Sequence, residues 1–149
     1  MKVSVNGFDF DLELKSDYGF YLLLAKKLNS DKEIGSLSFF FKNQDRERVS
    51  WLNKIEVEKK YQAKGVGYGL LKVFEQFSAS RQYLTIEGKY YPTNERAKQF
   101  YLRNGYMIYR EGYNQELFKR LDKNVVQAEY NRLVPSGETI SLSNEEEKE

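Results

Sequence analysis

The sequence predicts an α/β (α+β) domain: a mixed, mostly antiparallel central sheet with two main helices. Residues 2–14 alternate apolar and polar side chains around an Asn-Gly dipeptide, the mark of a hairpin. Residues 66–77 switch to the 3.6-residue period of an amphipathic helix, directly behind a glycine-rich turn. A second helical stretch ends at Asn104-Gly105, with strand-like runs on both sides of it.

In chain order, Lys2 to Val5 and Phe8 to Leu14 form a hairpin about Asn6-Gly7, because a type I′ turn needs positive φ at both central residues. Phe8, Phe10, Leu12 and Leu14 alternate with Asp9, Asp11 and Glu13, which gives one buried and one wet face. Phe20 to Leu28 reads as a strand. A short helix capped by Ser16 or Asp17 is the alternative, but no polar stripe at helical spacing interrupts the run. Turn residues Asn29-Ser30-Asp31-Lys32 lead into a strand from Glu33 to Phe41. The charged residues 42–48 make a loop, and Val49 to Val57 is the next strand. After the first long helix, Tyr83 to Lys89 is a strand, and Pro92-Thr93-Asn94 opens a second helix with Thr93 or Asn94 as N-cap. Tyr106 to Arg110 and Gln115 to Leu121 form a closing hairpin. Val125, Val126, Tyr130 and Leu133 mark a short C-terminal helix. One domain is expected over residues 1–134, followed by a polar, acidic and disordered tail at 135–149.

Composition excludes several chemistries. Without cysteine there is no disulfide framework and no thiolate nucleophile; without histidine, Ser-His-Asp chemistry and the commonest metal ligand are gone. No metal site is expected. The formal charge of +2 hides an asymmetry, since residues 138–149 carry −4 and leave +6 on residues 1–137. That mildly basic body suits an anionic ligand but is too weak and dispersed to argue for nucleic acid. The N-terminus lacks a signal peptide's apolar stretch and no run approaches 18 apolar residues, so a cytoplasmic, soluble protein with no membrane partner is expected.

The most informative stretch is Gln62-Ala63-Lys64-Gly65-Val66-Gly67-Tyr68-Gly69, which joins a strand to a helix. Glycines there let the chain turn sharply and bring a ligand close to main-chain amides. The unpaired N–H groups of a helix's first turn attract phosphate. A Walker loop would need Gly-Lys-Ser/Thr and a dinucleotide loop G-x-G-x-x-G; neither is present. The stretch resembles the Q/R-x-x-G-x-G/A signature of the GNAT (Gcn5-related) N-acetyltransferases. Further on, Asn94-Glu95-Arg96-Ala97-Lys98-Gln99-Phe100-Tyr101-Leu102-Arg103-Asn104-Gly105-Tyr106 resembles that family's N-x-x-A-x-x-F-Y-x-x-x-G-F/Y segment. The resemblance is clear over residues 50–106 and departs from the family in one respect. Only five residues separate Leu14 from Phe20, too few for the one or two helices that usually follow the first strand and help wall the acceptor groove.

The resemblance implies a sheet that splays beside Ile55-Glu56-Val57, with the pantetheine arm of acetyl-coenzyme A in the gap. Main-chain groups of Ile55 and Val57 would pair with that arm, and amides of Gln62, Ala63, Lys64, Gly65, Val66 and Gly67 would hold the pyrophosphate. Lys64 adds charge or is simply a solvated surface lysine. Asn94 touches the arm, caps its helix, or does both. Direct acetyl transfer to a primary amine then needs a base and an acid. The base is expected among carboxylates, Glu87 before Glu56, although each also reads as a solvated strand residue. Tyr101 stands at the family's position for the acid that protonates the leaving thiolate; otherwise it is a packed aromatic. By analogy a homodimer is expected, and some small relatives act on charged tRNA. The competing reading is a non-catalytic binding module that keeps the fold and still binds coenzyme A.

Overall fold

The computed structural model describes residues 1–44, 46–90, 94–111 and 114–142. One eight-stranded sheet runs through it: β1 (Lys2–Val5), β2 (Phe8–Asp17), β3 (Phe20–Lys27), β4 (Glu33–Gln44), β5 (Glu47–Val57), β6 (Thr85–Tyr90), β7 (Met107–Glu111) and β8 (Asn114–Arg120). Spatial order is β1-β2-β3-β4-β5-β6-β8-β7, and β5–β6 is the parallel pair. Three α-helices complete the fold: α1 (Val66–Ser80), α2 (Glu95–Arg103) and α3 (Lys123–Leu133). The predicted class, a mixed and mostly antiparallel sheet with helices, is the one observed.

Asn6-Gly7 turns β1 into β2 with φ of 48° and 86°, as the dipeptide required. A second turn of the same kind, Tyr18-Gly19 with the same two φ values, joins β2 directly to β3. The strand reading of Phe20 onward therefore holds, and no helix lies between β2 and β3. The segment 42–48, expected as a loop, is mostly sheet: β4 and β5 pair as far as Gln44↔Glu47. Its charged side chains masked a long hairpin, because residues at a hairpin tip are wet on both faces and show no alternation.

The core lies between one sheet face and α1. Phe39 and Phe74 meet there with ring centroids 4.8 Å apart, beside fully buried Leu37, Leu52 and Leu70. Truncating Phe39 to alanine should cost about 3–5 kcal/mol. α3 packs against α1, and α2 stands beside the start of α1, where Phe100 lies against Gly67. All three helices occupy this face. The opposite face carries Phe20, Phe40 and Trp51 in a row, ring centroids 5.2 and 6.3 Å apart, with Phe20 56% exposed.

The chain remains ordered against the sheet beyond Pro135. Ile140 is buried, Leu142 bridges to Leu14 in parallel fashion, and the Tyr130 hydroxyl donates to the Glu138 carbonyl. The folded body thus extends past the expected boundary at residue 134, because two apolar residues in an otherwise polar stretch cover the free part of the β2 edge. Residues 143–149, the most acidic part of the expected tail, lie outside the described residues.

Candidate functional site

β5 and β6 form a fork. Their ladder runs from Val49↔Thr85 to Leu52↔Gly88 and stops there, although β5 continues to Val57. Two local features explain the stop. On its other edge β5 jumps register against β4, from Phe39↔Leu52 to Ser38↔Lys54, so Asn53 is an extra, bulged residue. A bulge bends its strand and increases the twist, here at the residue after the last β6 partner. Gly88 holds the final rung together: a Cβ there would stand 2.6 Å from the Leu52 carbonyl oxygen.

Beyond the fork opens a cleft of about 1680 Å³. Asn53–Val57 form one wall and α2 another, through Asn94, Ala97, Phe100 and Tyr101. Its floor is the turn from Tyr61 to Gly65 and the first turn of α1. In that turn Ala63 and Gly65 adopt φ of 66° and 93°. The first intrahelical bond of α1 is Gly69 N–H to the Gly65 carbonyl at 2.9 Å, so the amides of Val66, Gly67 and Tyr68 have no acceptor within the helix. No side chain caps this end and no acidic residue stands in the first turn. That combination suits an anion. Gly65 has a second duty, since a Cβ would fall 2.3 Å from Cγ1 of Val5 in the first hairpin. The Gln62 side-chain amide donates to the Val57 carbonyl at 3.0 Å and ties the turn back to β5.

Asn94 caps α2, its side chain accepting from Ala97 N–H at 3.0 Å, and it also lines the cleft. Thr93, the other candidate cap, lies outside the described residues. Tyr101 is 4% exposed, sits at the cleft wall among the rings of Tyr90, Phe100 and Tyr106, and burial pushes its phenol well above the ordinary value near 10. Burial thus favours the neutral phenol.

The structure brings Ile55, Glu56, Val57, Gln62, Ala63, Lys64, Gly65, Gly67, Asn94 and Tyr101 to one cleft; Val66 sits in its floor helix with a buried side chain. Glu87 stands elsewhere. It pairs with Trp51 and Phe118 one rung before the fork, and alternation with Ile86 and Gly88 turns it to the helix-free face. Glu56 lines the cleft, with Lys54 Nζ 3.0 Å from its carboxylate. Lys64 lines the cleft with its ammonium 5.7 Å from the Phe8 ring centroid. Sequence reading missed the exposed arginines on the rim, Arg96, Arg103 and Arg132. The +6 balance of residues 1–137 was their only trace. Among the described residues no cluster of acidic side chains could hold a metal, and no helix is long and apolar enough to cross a membrane.

Known proteins share this architecture. A search of curated proteins finds no match. Among solved structures, the PaiA N-acetyltransferase of Thermoplasma acidophilum in complex with coenzyme A superposes with a TM-score of 0.60 at 19% identity, over 69% of this chain and 62% of that one. Arabidopsis thaliana Naa50 with the bisubstrate analogue CoA-Ac-MVNAL gives 0.58 at 18% identity, over 67% of this chain and 72% of that one. PH1933 of Pyrococcus horikoshii gives 0.56 at 28% identity, covering 70% and 66%. The family model for the GNAT acetyltransferase domain matches residues 17–108, a span that contains the fork, the anion turn and all of α2. With that match over more than half of its length, the chain belongs to the GNAT acetyltransferase family.

Proposed function

We propose that the protein transfers an acetyl group from acetyl-coenzyme A directly to a primary amine while both substrates are bound. The observation that carries this reading is the joining of an open α1 N-terminus and an unpaired β5 edge in one cleft. The first suits a pyrophosphate, and the second suits an extended arm with amides along it. The residues present fit that donor. Amides at 62–67 would take the pyrophosphate with Lys64 adding charge, and main-chain groups of Ile55 and Val57, with Asn94, would take the arm. The bound thioester supplies an activated acetyl group; the protein's residues move the protons.

An amine with a pKa near 10 is protonated at pH 7 and must lose a proton before it attacks. A carboxylate takes that proton, directly or through water. Glu87 on β6 and Glu56 on β5 both alternate to the helix-free face of the sheet, Glu87 beside Trp51 and Glu56 between inward-facing Ile55 and Val57, so either one serves an amine that arrives from that face. As the new C–N bond forms and the C–S bond breaks, Tyr101 gives its phenolic proton to the departing sulfur. The desolvation that keeps the phenol protonated also makes a thiolate more basic, so donor and acceptor remain matched.

The test is release of free thiol from acetyl-coenzyme A over a panel of small amines, peptides and lysine-bearing proteins. Thiol release coupled to an acetylated amine is expected. Tyr101→Phe should keep the fold and the affinity for coenzyme A and lower turnover about 10- to 1000-fold, as for a lost general acid. Unchanged turnover removes Tyr101 from the mechanism. Glu87→Gln and Glu56→Gln, measured side by side, identify the base. The direct β2–β3 turn favours a second reading, a binding module, because it leaves the acceptor side without its usual wall. Tight coenzyme A binding without thiol release across the whole panel would establish that reading instead.

A further inference from the structure

Glu75 stands in the middle of α1 with its carboxylate fully buried, and the acetyl-transfer step makes no use of it. Lys72 and Lys119 reach it with Nζ–O distances of 3.3 and 3.2 Å, and Lys72 also meets Glu129 of α3 at 3.0 Å. Burial works against both lysine charges. Glu75 and Glu129 outweigh it at Lys72, whose pKa rises, whereas at Lys119 burial, joined by repulsion from Lys72, prevails over the same two carboxylates and the pKa falls. Apolar replacement of such a cluster is often neutral or stabilising, so stability alone gives little reason to keep four charges here.

The arms of the cluster lead to α2. Glu75 Oε2 accepts from the Tyr106 hydroxyl at 2.7 Å, and the Tyr106 ring meets that of Tyr101 edge-on, centroids 5.7 Å apart. Lys119 continues from Glu75 to the carbonyl of Asn104, the C-cap of α2, at 2.8 Å. Asn104 in turn donates from its side chain to the Phe100 carbonyl at 2.8 Å. The Tyr106 amide closes the turn on the Tyr101 carbonyl at 3.0 Å. Tyr101 is the one buried residue of α2, with Ala97 and Phe100 partly buried beside it, so the contacts at Tyr101 and at the helix's end bear most directly on where its hydroxyl points. We infer that Glu75 is a positioning residue for Tyr101, acting through Tyr106 on its ring and through Lys119 on the end of its helix. The inference rests on the acid role proposed for Tyr101.

A double-mutant cycle in turnover tests it, using the amine of the panel with the fastest thiol release. Tyr106→Phe keeps the ring and removes only the hydroxyl, so it spares the fold, whereas Glu75→Gln would strip a buried charge from two lysines. Alone, it should lower kcat roughly 10-fold and leave KM for acetyl-coenzyme A within about twofold, because small misplacements of a reacting group are costly in rate. Added to Tyr101→Phe, it should change kcat by less than about twofold, since a positioning residue has nothing left to position. Lys119→Met should behave the same way through the second arm. Equal losses in both backgrounds would mean that the cluster is structural only, and unchanged kcat in Tyr106→Phe would also overturn the inference. If Tyr101→Phe itself keeps full turnover, or no amine releases thiol, the acid role falls and the positioning role falls with it.

Discussion

The two edges of β5 were given the same residues and do opposite things. Towards β4 the strand is paired from Gln44↔Glu47 to Gly35↔Val57, with one bulge absorbed on the way. Towards β6 the pairing ends at Leu52↔Gly88. A fully paired edge has spent its N–H and C=O groups and holds only the fold together; an edge whose ladder stops early keeps groups for a ligand. The face proposed to bind coenzyme A thus comes from interrupting a sheet. The interruption is local: Asn53 bends the strand, and Gly88 keeps the last rung tight.

The sharpest way to break the asymmetry is to delete Asn53. The β4 register would then run without its jump, the bend would relax, and β5 could follow β6 further. Affinity for coenzyme A should fall by about 100-fold, which is roughly 2.7 kcal/mol. Calorimetry measures this, with circular dichroism confirming that the sheet persists. Unchanged affinity would mean that the fork does not depend on the bulge.

Next in size is a matched pair of glycines. A Cβ at Gly88 would stand 2.6 Å from the Leu52 carbonyl oxygen, and one at Gly35, on the paired edge, 3.0 Å from the Glu56 carbonyl oxygen. Both neighbours are backbone and cannot rotate away. Gly88→Ala should cost about 1–3 kcal/mol in urea unfolding, as overpacking does, and Gly35→Ala less. The two should also differ in function. Gly88→Ala pushes the fork apart at its base and should weaken coenzyme A binding, whereas Gly35→Ala acts on the closed side. Equal effects on binding would show that the last rung does not set the cleft.

The sequence made some of this asymmetry visible and hid the rest. Asn6-Gly7 could be read because few dipeptides accept two positive φ values, and the 62–69 turn because glycines before a helical period are rare. The end of the parallel ladder could be placed only by resemblance, since nothing in Asn53 or Gly88 taken singly announces a bulge or a close contact. Lys72 and Glu75 were invisible for a different reason. They occupy positions that would be wet on an isolated helix, and only α3 and β8, brought in from far along the chain, bury them. Glu87 reads from the sequence only as a strand residue, because periodicity gives alternation within a strand but neither the face that turns to the cleft nor the rung at which a ladder ends.

The smallest expected effect concerns protons. Burial chiefly, and for Tyr106 also the Glu75 charge, pushes Tyr101 and Tyr106 above the ordinary value of 10.0. In the unfolded chain both would ionise near that value. Above it the unfolded state has fewer bound protons than the native one, so this contribution is intact below about pH 10 and is lost as pH climbs through the native values. Each tyrosine should steepen the loss by about 1.4 kcal/mol per pH unit once the unfolded form is ionised, and by less near the onset. The two lysines of the cluster shift in opposite directions, so their contributions oppose each other there. Urea midpoints between about pH 9 and 11 should therefore fall more gently in Tyr106→Phe than in the parent, with a slope difference that grows from a small fraction of a proton near pH 9 towards one proton near pH 11. An identical slope would mean that Tyr106 ionises as freely in the native protein as in the unfolded chain. That result would contradict its closed contact with Glu75 on the helix face behind the open edge of β5.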